Sequence, residues 1–407
     1  MKHFDVAIVG TGHGGAQAAI QLRQLGFAGT IGLVGREPDF PYERPPLSKD
    51  YLAGEREPER LLIRPERFWA ERGIELLRGK EVVRVEPSAR LLSCADGDEM
   101  GWGRLIWAAG GAPRPLSCPG AHLAHLVRSR ADVDRIKAAL PPARRIAVIG
   151  GGYIGLECAA TLRKLGKEVV LFEALDRVLA RVAGEPLSRF VEARHRAEGV
   201  DLRLGAQVQA IGAGWVRSAG PEEPFDLVIA GIGIDAAAEP LLEAGAQGGN
   251  GILVDAYCRT SLAGVHAIGD CALHESRWAG GARIRLESVQ NAHDMAATAA
   301  RDILGMPAPY QAVPWFWSNQ YDLRLQSVGL WLGYDEIVPR GETAGGSFSL
   351  VYLSGGRVIA LDCVNATRDY AQGRKLVEQR ACLAPADLAD ASRPLKELIA
   401  APGAGAP

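Results

Sequence analysis

No run in this sequence is apolar for long enough to cross a membrane. Its first residues, MKHFDVAIVG, enter a strand-like segment with no basic leader, long apolar stretch or small-residue cleavage site before it. A cytoplasmic protein is expected. Cysteine is sparse and scattered: Cys94, Cys118, Cys158, Cys258, Cys271, Cys363 and Cys382 form no C-x-x-C and no zinc-like pairing. That pattern suits a reducing compartment, and no metal site is expected. The net charge is only −2, which excludes a global pull toward nucleic acid, so a charged partner has to be met by a local patch. With 47% apolar and 23% charged residues, the composition is that of an ordinary globular chain and gives no case for disorder. Only the tail APGAGAP reads as disordered.

What is present is a repeat. At 407 residues the chain exceeds what one core usually organises, so two or three domains are expected. VAIVGTGHGGAQAAI (6–20) and IAVIGGGYIGLECAA (146–160) say nearly the same thing. Each is a β-branched apolar run ending at G-x-G-x-x-G, followed by helical spacing: Gly10, Gly12 and Gly15, then Gly150, Gly152 and Gly155. In such a turn the first glycine permits the bend, the second lets backbone approach a pyrophosphate, and the third lets helix and strand pack closely. The helix N-terminus then faces the anion. Two dinucleotide cradles are therefore predicted.

The following strand distinguishes them. After the second turn, KEVVLFE ends at Glu173, about twenty residues on, where a carboxylate accepts hydrogen bonds from a ribose 2′-hydroxyl. That favours NADH over a 2′-phosphorylated cofactor, although Arg177 lies close by and Ala174 stands where a basic residue often serves NADPH. In the first unit, TIGLVG puts Gly35 at the corresponding place, so that ribose must be held otherwise.

Further along, CRTSLAGVHAIGD (258–270) carries Thr260, an apolar strand and Gly269-Asp270, which resembles the second FAD fingerprint of the two-dinucleotide flavoproteins. RLIWAAGGAPRP resembles their A-T-G crossover, with Ala109 in place of the threonine. FPYERPPLSKDYL, GGGYIGLE, RLESVQNA and VPWFWSNQYDLRLQ occur in this order in FAD-dependent, NADH-dependent ferredoxin reductases, and the sequence resembles the putidaredoxin reductase type across nearly its whole length. Biphenyl dioxygenase reductases and rubredoxin reductases are close relatives of that family.

The resemblance implies an α/β fold with two Rossmann-like domains, the second inserted in the first, and a C-terminal α+β domain. FAD-binding parts are expected at 1–113 and 246–315, the NADH-binding domain at 114–245, and the last domain at 316–407. Within the insert, DLVIAGIGI reads as a buried strand with a glycine-rich end. In the last domain, SFSLVYLSGGRVIALDCV reads as a hairpin turning at Gly355-Gly356.

It also implies site residues. FAD, bound tightly but not covalently, would be held at Gly10, Gly12, Gly14 and Gly15, with Arg44 neutralising the pyrophosphate, Val82 and Arg128 beside it, and Asp270 and Val289 along the ribityl chain and ring. Arg36 stands where relatives often have an acid, so either Glu37 reaches the adenosine ribose or that contact is missing. NADH, as substrate, would meet Gly150, Gly152, Gly155, Glu157, Glu173 and Glu287. Lys49 would lie near the flavin N5 edge paired with Glu157, and Trp317 against the ring, while Trp315 reads as core.

A second absence then matters. Disulfide reductases and NADH peroxidases of this superfamily need a cysteine against the flavin, but PDFPYERPP has none, and no cluster-ligand spacing exists. Electrons are expected to leave directly to a [2Fe–2S] ferredoxin feeding a cytochrome P-450 type monooxygenase or a Rieske dioxygenase. Arg64, Arg67, Arg283, Arg285 and Arg324 are candidates for docking it. A rubredoxin or monodehydroascorbate-type reductase, or a non-catalytic NADH-sensing flavoprotein of the apoptosis-inducing type, is the alternative.

Overall fold

A parallel sheet follows directly from the apolar runs VAIV and IGLV, which are buried on both faces as crossover strands must be. The computed structural model describes residues 1–399, so the APGAGAP tail lies outside the described residues. It divides into two compact units: residues 1–46, 56–112 and 234–312, and residues 47–55, 113–233 and 313–399.

In the first unit, the strand Lys2–Val9 pairs in parallel with Ile31–Gly35 on one side and Glu99–Trp107 on the other. Ile74–Arg78 extends one edge in parallel, and Val265–Ala267 joins Glu99–Trp107, also in parallel. The strands Val82–Glu86 and Leu91–Cys94 complete the sheet as an antiparallel meander. The helix His13–Gln24 covers it through Ala16, Ala18 and Ala19, small enough to let a helix lie close to strands, and through the fully buried Leu22. Helix Val289–Ile303, capped by the Ser288 hydroxyl accepting from the Asn291 amide, packs against it.

The second unit holds a second parallel sheet, ordered Asp201–Arg203, Glu168–Phe172, Arg145–Ile149, Leu227–Ala230 and His125–Leu126. Its last part is a five-stranded antiparallel sheet in the order Trp315–Gln320, Leu323–Gly329, Arg357–Val364, Ser347–Ser354 and Glu336–Glu342. The hairpin between Ser347–Ser354 and Arg357–Val364 turns at Gly355 and Gly356, both at positive φ (54° and 71°), as a tight two-residue connection requires. The segment Leu47–Glu55 belongs with this unit because the Thr161 hydroxyl donates to the Ser48 carbonyl at 2.9 Å and Lys164 pairs with Glu55.

His195, wholly buried on the helix Glu185–Ala197, is held neutral, since burial pushes its pKa down to about 4. In the unfolded chain it titrates near 6.5, so between those values the unfolded state binds more protons. Its contribution to stability is complete above about pH 6.5 and falls by about 3 kcal/mol as pH drops to 4. Urea unfolding at pH 5 and 7.5 should show about 2 kcal/mol of this loss, and His195→Gln should shrink the difference.

Candidate functional site

The two glycine turns match residue by residue. Gly10 has φ +111° and its amide donates to the Val34 carbonyl at 2.7 Å; Gly150 has φ +107° and donates to Phe172 at 2.8 Å. A Cβ on Gly15 would stand 1.8 Å from the Gly10 carbonyl oxygen, and one on Gly155 would stand 1.9 Å from that of Gly150. Neither turn tolerates a side chain there. Gly12 and Gly152 are different: a Cβ on Gly152 would meet nothing within 4 Å, and one on Gly12 would have only the Arg44 Nε, at 3.8 Å. Both precede a helix N-terminus and leave open space in front of it, which is the geometry a pyrophosphate needs.

The position between the glycines explains the missing acid of the first cradle. By the hydrogen-bond register, Gly35 corresponds to Glu173 and Thr11 to Gly151. A Cβ on Gly35 would lie 2.5 Å from the Thr11 side chain, so the threonine fills the place an acidic side chain would take. Gly151 leaves that place empty, and Glu173 occupies it: its carboxylate accepts from the Gly151 amide at 2.6 Å and from the Leu175 amide at 2.8 Å. Arg177 is committed elsewhere, donating to the carbonyls of Ala180 and Ala183 and to the Ser188 hydroxyl.

Around the first cradle, Arg44 is bonded to Glu37 at 2.5 Å, and the Tyr42 hydroxyl also donates to Glu37. Burial opposes ionisation of Glu37, but Arg44 and Tyr42 outweigh it and hold the carboxyl below its ordinary value. Burial likewise opposes the Arg44 charge, yet Tyr42, Glu37 and Asp270 keep it firmly protonated. Asp270 sits in the 3₁₀ turn Gly269–Cys271 after the strand Val265–Ala267. Gly14 faces Ile268, Ala108 and Ala292, where a Cβ would make ordinary contact at 3.6–3.7 Å. Val82 is buried in its strand, Val289 opens its helix, and Arg36 is exposed. Arg128 belongs to the second unit.

In the second unit, helix Tyr153–Lys164 packs against strand Trp315–Gln320. Four helical residues rise about 6 Å and two strand residues about 6.6 Å, so the two periods stay in step. Tyr153 meets Phe316, with ring centroids 4.5 Å apart, and Glu157 meets Ser318, whose hydroxyl donates to Oε1 at 2.6 Å. Trp315 and Trp317 occupy the opposite strand face, 5.5 Å apart. Lys49 Nζ reaches Glu157 Oε2 at 2.6 Å, and the Ser48 hydroxyl donates to the same oxygen. Glu157 is 3% exposed and Lys49 17%, so this is a sheltered ion pair with hydroxyl donors on both carboxylate oxygens. The roles of Ser48, Ser318 and Thr161 have no local signal in the sequence, because each depends on a contact between segments more than 100 residues apart.

Two expectations need correction or placement. Arg285 is not available for docking: its side chain is 8% exposed, pairs with Glu287 at 3.0 Å and donates to the Asp270 carbonyl at 2.6 Å. It and Glu287 instead brace the first unit beside Asp270. Arg64, Arg67 and Arg324 are exposed, the first two on the first unit and Arg324 on the second.

Among the described residues all seven cysteines are free. Burial pushes the Cys158, Cys271 and Cys363 thiols up to about 12 and raises Cys258 as well, which makes them poor nucleophiles. No group of three or more side chains suited to a metal occurs among the described residues, and no helix there is long and apolar enough to cross a membrane.

Comparison with known proteins agrees with this geometry. Residues 4–296 match the pyridine nucleotide-disulphide oxidoreductase family and residues 315–399 the reductase C-terminal family. The chain is 60% identical to a 5,5′-dehydrodivanillate O-demethylase ferredoxin reductase subunit from a Sphingobium species, over 99% of this chain and 100% of that one. It is 56% identical to a ferredoxin–NAD(P)(+) reductase from a Sphingomonas species, over 98% of each. Putidaredoxin reductase, solved in covalent complex with putidaredoxin, matches with a TM-score of 0.93 and 40% identity over 98% of both chains. Its two cradles, its C-terminal sheet and these whole-length similarities establish that the chain belongs to the pyridine nucleotide-disulphide oxidoreductase family, among the ferredoxin reductases of the putidaredoxin reductase type.

Proposed function

We propose that this protein is a cytoplasmic NADH-dependent ferredoxin reductase. It holds FAD in the first cradle, takes a hydride from NADH in the second, and passes electrons singly to a [2Fe–2S] ferredoxin that serves a P-450 type monooxygenase or a Rieske dioxygenase. One observation carries this reading: two matched glycine cradles, with Gly35 at the strand end of the first and, at the same place in the second, Glu173 bonded to the amide between the glycines.

Bound FAD supplies the conversion between a two-electron donor and a one-electron acceptor. The chain's residues do the rest. Gly12 leaves room for the pyrophosphate, the N-terminus of helix His13–Gln24 faces it, and Arg44 brings a fixed positive charge beside Gly12. At the other cradle, Gly152 leaves the same room, and Glu173, already accepting from the Gly151 amide, would accept from the ribose hydroxyls. Arg177 spends three of its five N–H donors on local acceptors, and a 2′-phosphate would meet the like charge of Glu173, which favours NADH over NADPH. Glu157, fixed by Ser48, Lys49 and Ser318, orients the nicotinamide end. The buried thiols stay outside the electron path. Free cysteines throughout the described chain also support a reducing compartment.

Glu173→Arg tests the assignment. Removing a charge-assisted acceptor worth about 2 kcal/mol should raise the KM for NADH about 30-fold while the protein keeps its flavin. Equal loss of flavin and NADH use would contradict it. Steady-state reduction of a purified [2Fe–2S] ferredoxin, set against a rubredoxin, separates this acceptor from its nearest rival.

A further inference from the structure

Glu157 is the end of a longer chain of hydrogen bonds. Beyond Ser318, the same face of the strand carries Gln320, 1% exposed, whose Nε2 donates to the Ser318 hydroxyl at 3.1 Å. Its Oε1 lies 2.8 Å from His195 Nε2, and His195 Nδ1 lies 3.2 Å from the Tyr321 hydroxyl at the half-buried turn.

The anion at one end sets the direction of every bond. A carboxylate only accepts, so the Ser318 hydroxyl donates to Glu157 and must itself accept from Gln320. The Gln320 amide is thereby oriented with its oxygen toward His195, which fixes the tautomer with hydrogen on Nε2. Nδ1 is left to accept the Tyr321 hydroxyl. Each donor from the turn inward points toward Glu157, and the low pKa of His195 agrees with a ring kept neutral.

The turn is built at a cost. Tyr321 has φ +55° at a two-residue hairpin position that favours glycine or asparagine, and a bulky residue is rarely found there. Arg194, beside His195, clamps it by pairing with Asp322 at 2.8 Å and standing 5.8 Å over the Tyr321 ring. A backbone held in a sparsely populated region, with its side chain on His195, points to a retained purpose.

We infer that His195 and Gln320 are positioning residues for Glu157: through Ser318 they fix the carboxylate in the orientation that the nicotinamide meets. The inference rests on the reading of Glu157 as facing that ring. It assigns them no contact with NADH.

The test uses the flavin-loaded protein and the variants His195→Phe and Gln320→Met, which put an apolar side chain of related shape at each site and remove the relay. Each should slow flavin reduction at saturating NADH by about tenfold, as a small misplacement does, with half-saturation changed less than twofold. A second readout needs no turnover: calorimetric affinity for NAD⁺ relative to ADP-ribose, which lacks the nicotinamide, should move toward equality. Wild-type rates and affinity ratio, with only a lowered melting temperature, would overturn the inference and leave a structural network. Should His195→Phe fail to fold, Gln320→Met decides alone. Glu157→Gln is the control for the underlying reading: if it leaves both readouts unchanged, the role of Glu157 fails; if it alone changes them, the relay fails.

Discussion

Gly152→Val is expected to give a folded, yellow protein that needs far more NADH, and Gly12→Val a folded protein that has lost its colour. Both glycines have extended backbone that any residue adopts, with φ −74° and ψ −168° at Gly12 and φ −77° and ψ 177° at Gly152. A Cβ at either meets no close protein atom, so the fold has little reason to object. What the side chain removes is the space in which phosphate oxygens approach the helix N-terminus. Losing that approach should raise the KM for NADH about 100-fold in Gly152→Val, equivalent to about 2.8 kcal/mol, with absorbance in the visible flavin band unchanged. The neighbouring glycines would be uninformative controls, because a Cβ on Gly15 or Gly155 collides with a backbone carbonyl and damages the fold itself.

Glu157→Gln should lower the rate of flavin reduction about 100-fold, while the KM for NADH changes less than threefold, because a preorganised charge acts on the reacting end rather than on the nucleotide. The carboxylate has a cation on one oxygen and a hydroxyl donor on each. An amide in its place must turn either its NH₂ toward Lys49 or its NH₂ toward Ser318, and the sheltered ammonium loses its counter-charge. That should cost about 3 kcal/mol of stability, the low end for a buried pair because Lys49 keeps some exposure, since one charge is left uncompensated. Rapid mixing with NADH and urea unfolding measure the two effects separately. Lys49→Met should restore part of the stability of Glu157→Gln and none of the rate.

The cradles were legible in the sequence because their constraints are local. A positive φ at Gly10 and Gly150 and a carbonyl against Gly15 and Gly155 leave glycine as the sole choice within six residues of chain. Glu173 was legible by spacing, as was the Gly355-Gly356 hairpin. The reason Gly35 replaces the acid was not: it depends on Thr11, twenty-four residues earlier, filling that space. The Glu157 relay was also out of reach. It requires a helix near residue 157 to meet a strand near 318 in step, and then a histidine from a third element. WFWSNQ runs three aromatics into three polar residues, and Ser318 and Gln320 lie on the strand face that the helix Tyr153–Lys164 covers, a cover that the run itself does not announce. Arg285 misled for the same reason, since burial beside Asp270 is invisible in a run of residues that reads as loop.

The most direct measurement is an anaerobic titration of the purified protein with NADH before and after its accessible thiols are alkylated. The account predicts a yellow protein whose visible band is bleached by stoichiometric NADH equally well in both cases, and which then reduces a [2Fe–2S] ferredoxin. A colourless protein, or one whose electron delivery is abolished by alkylation, would contradict it.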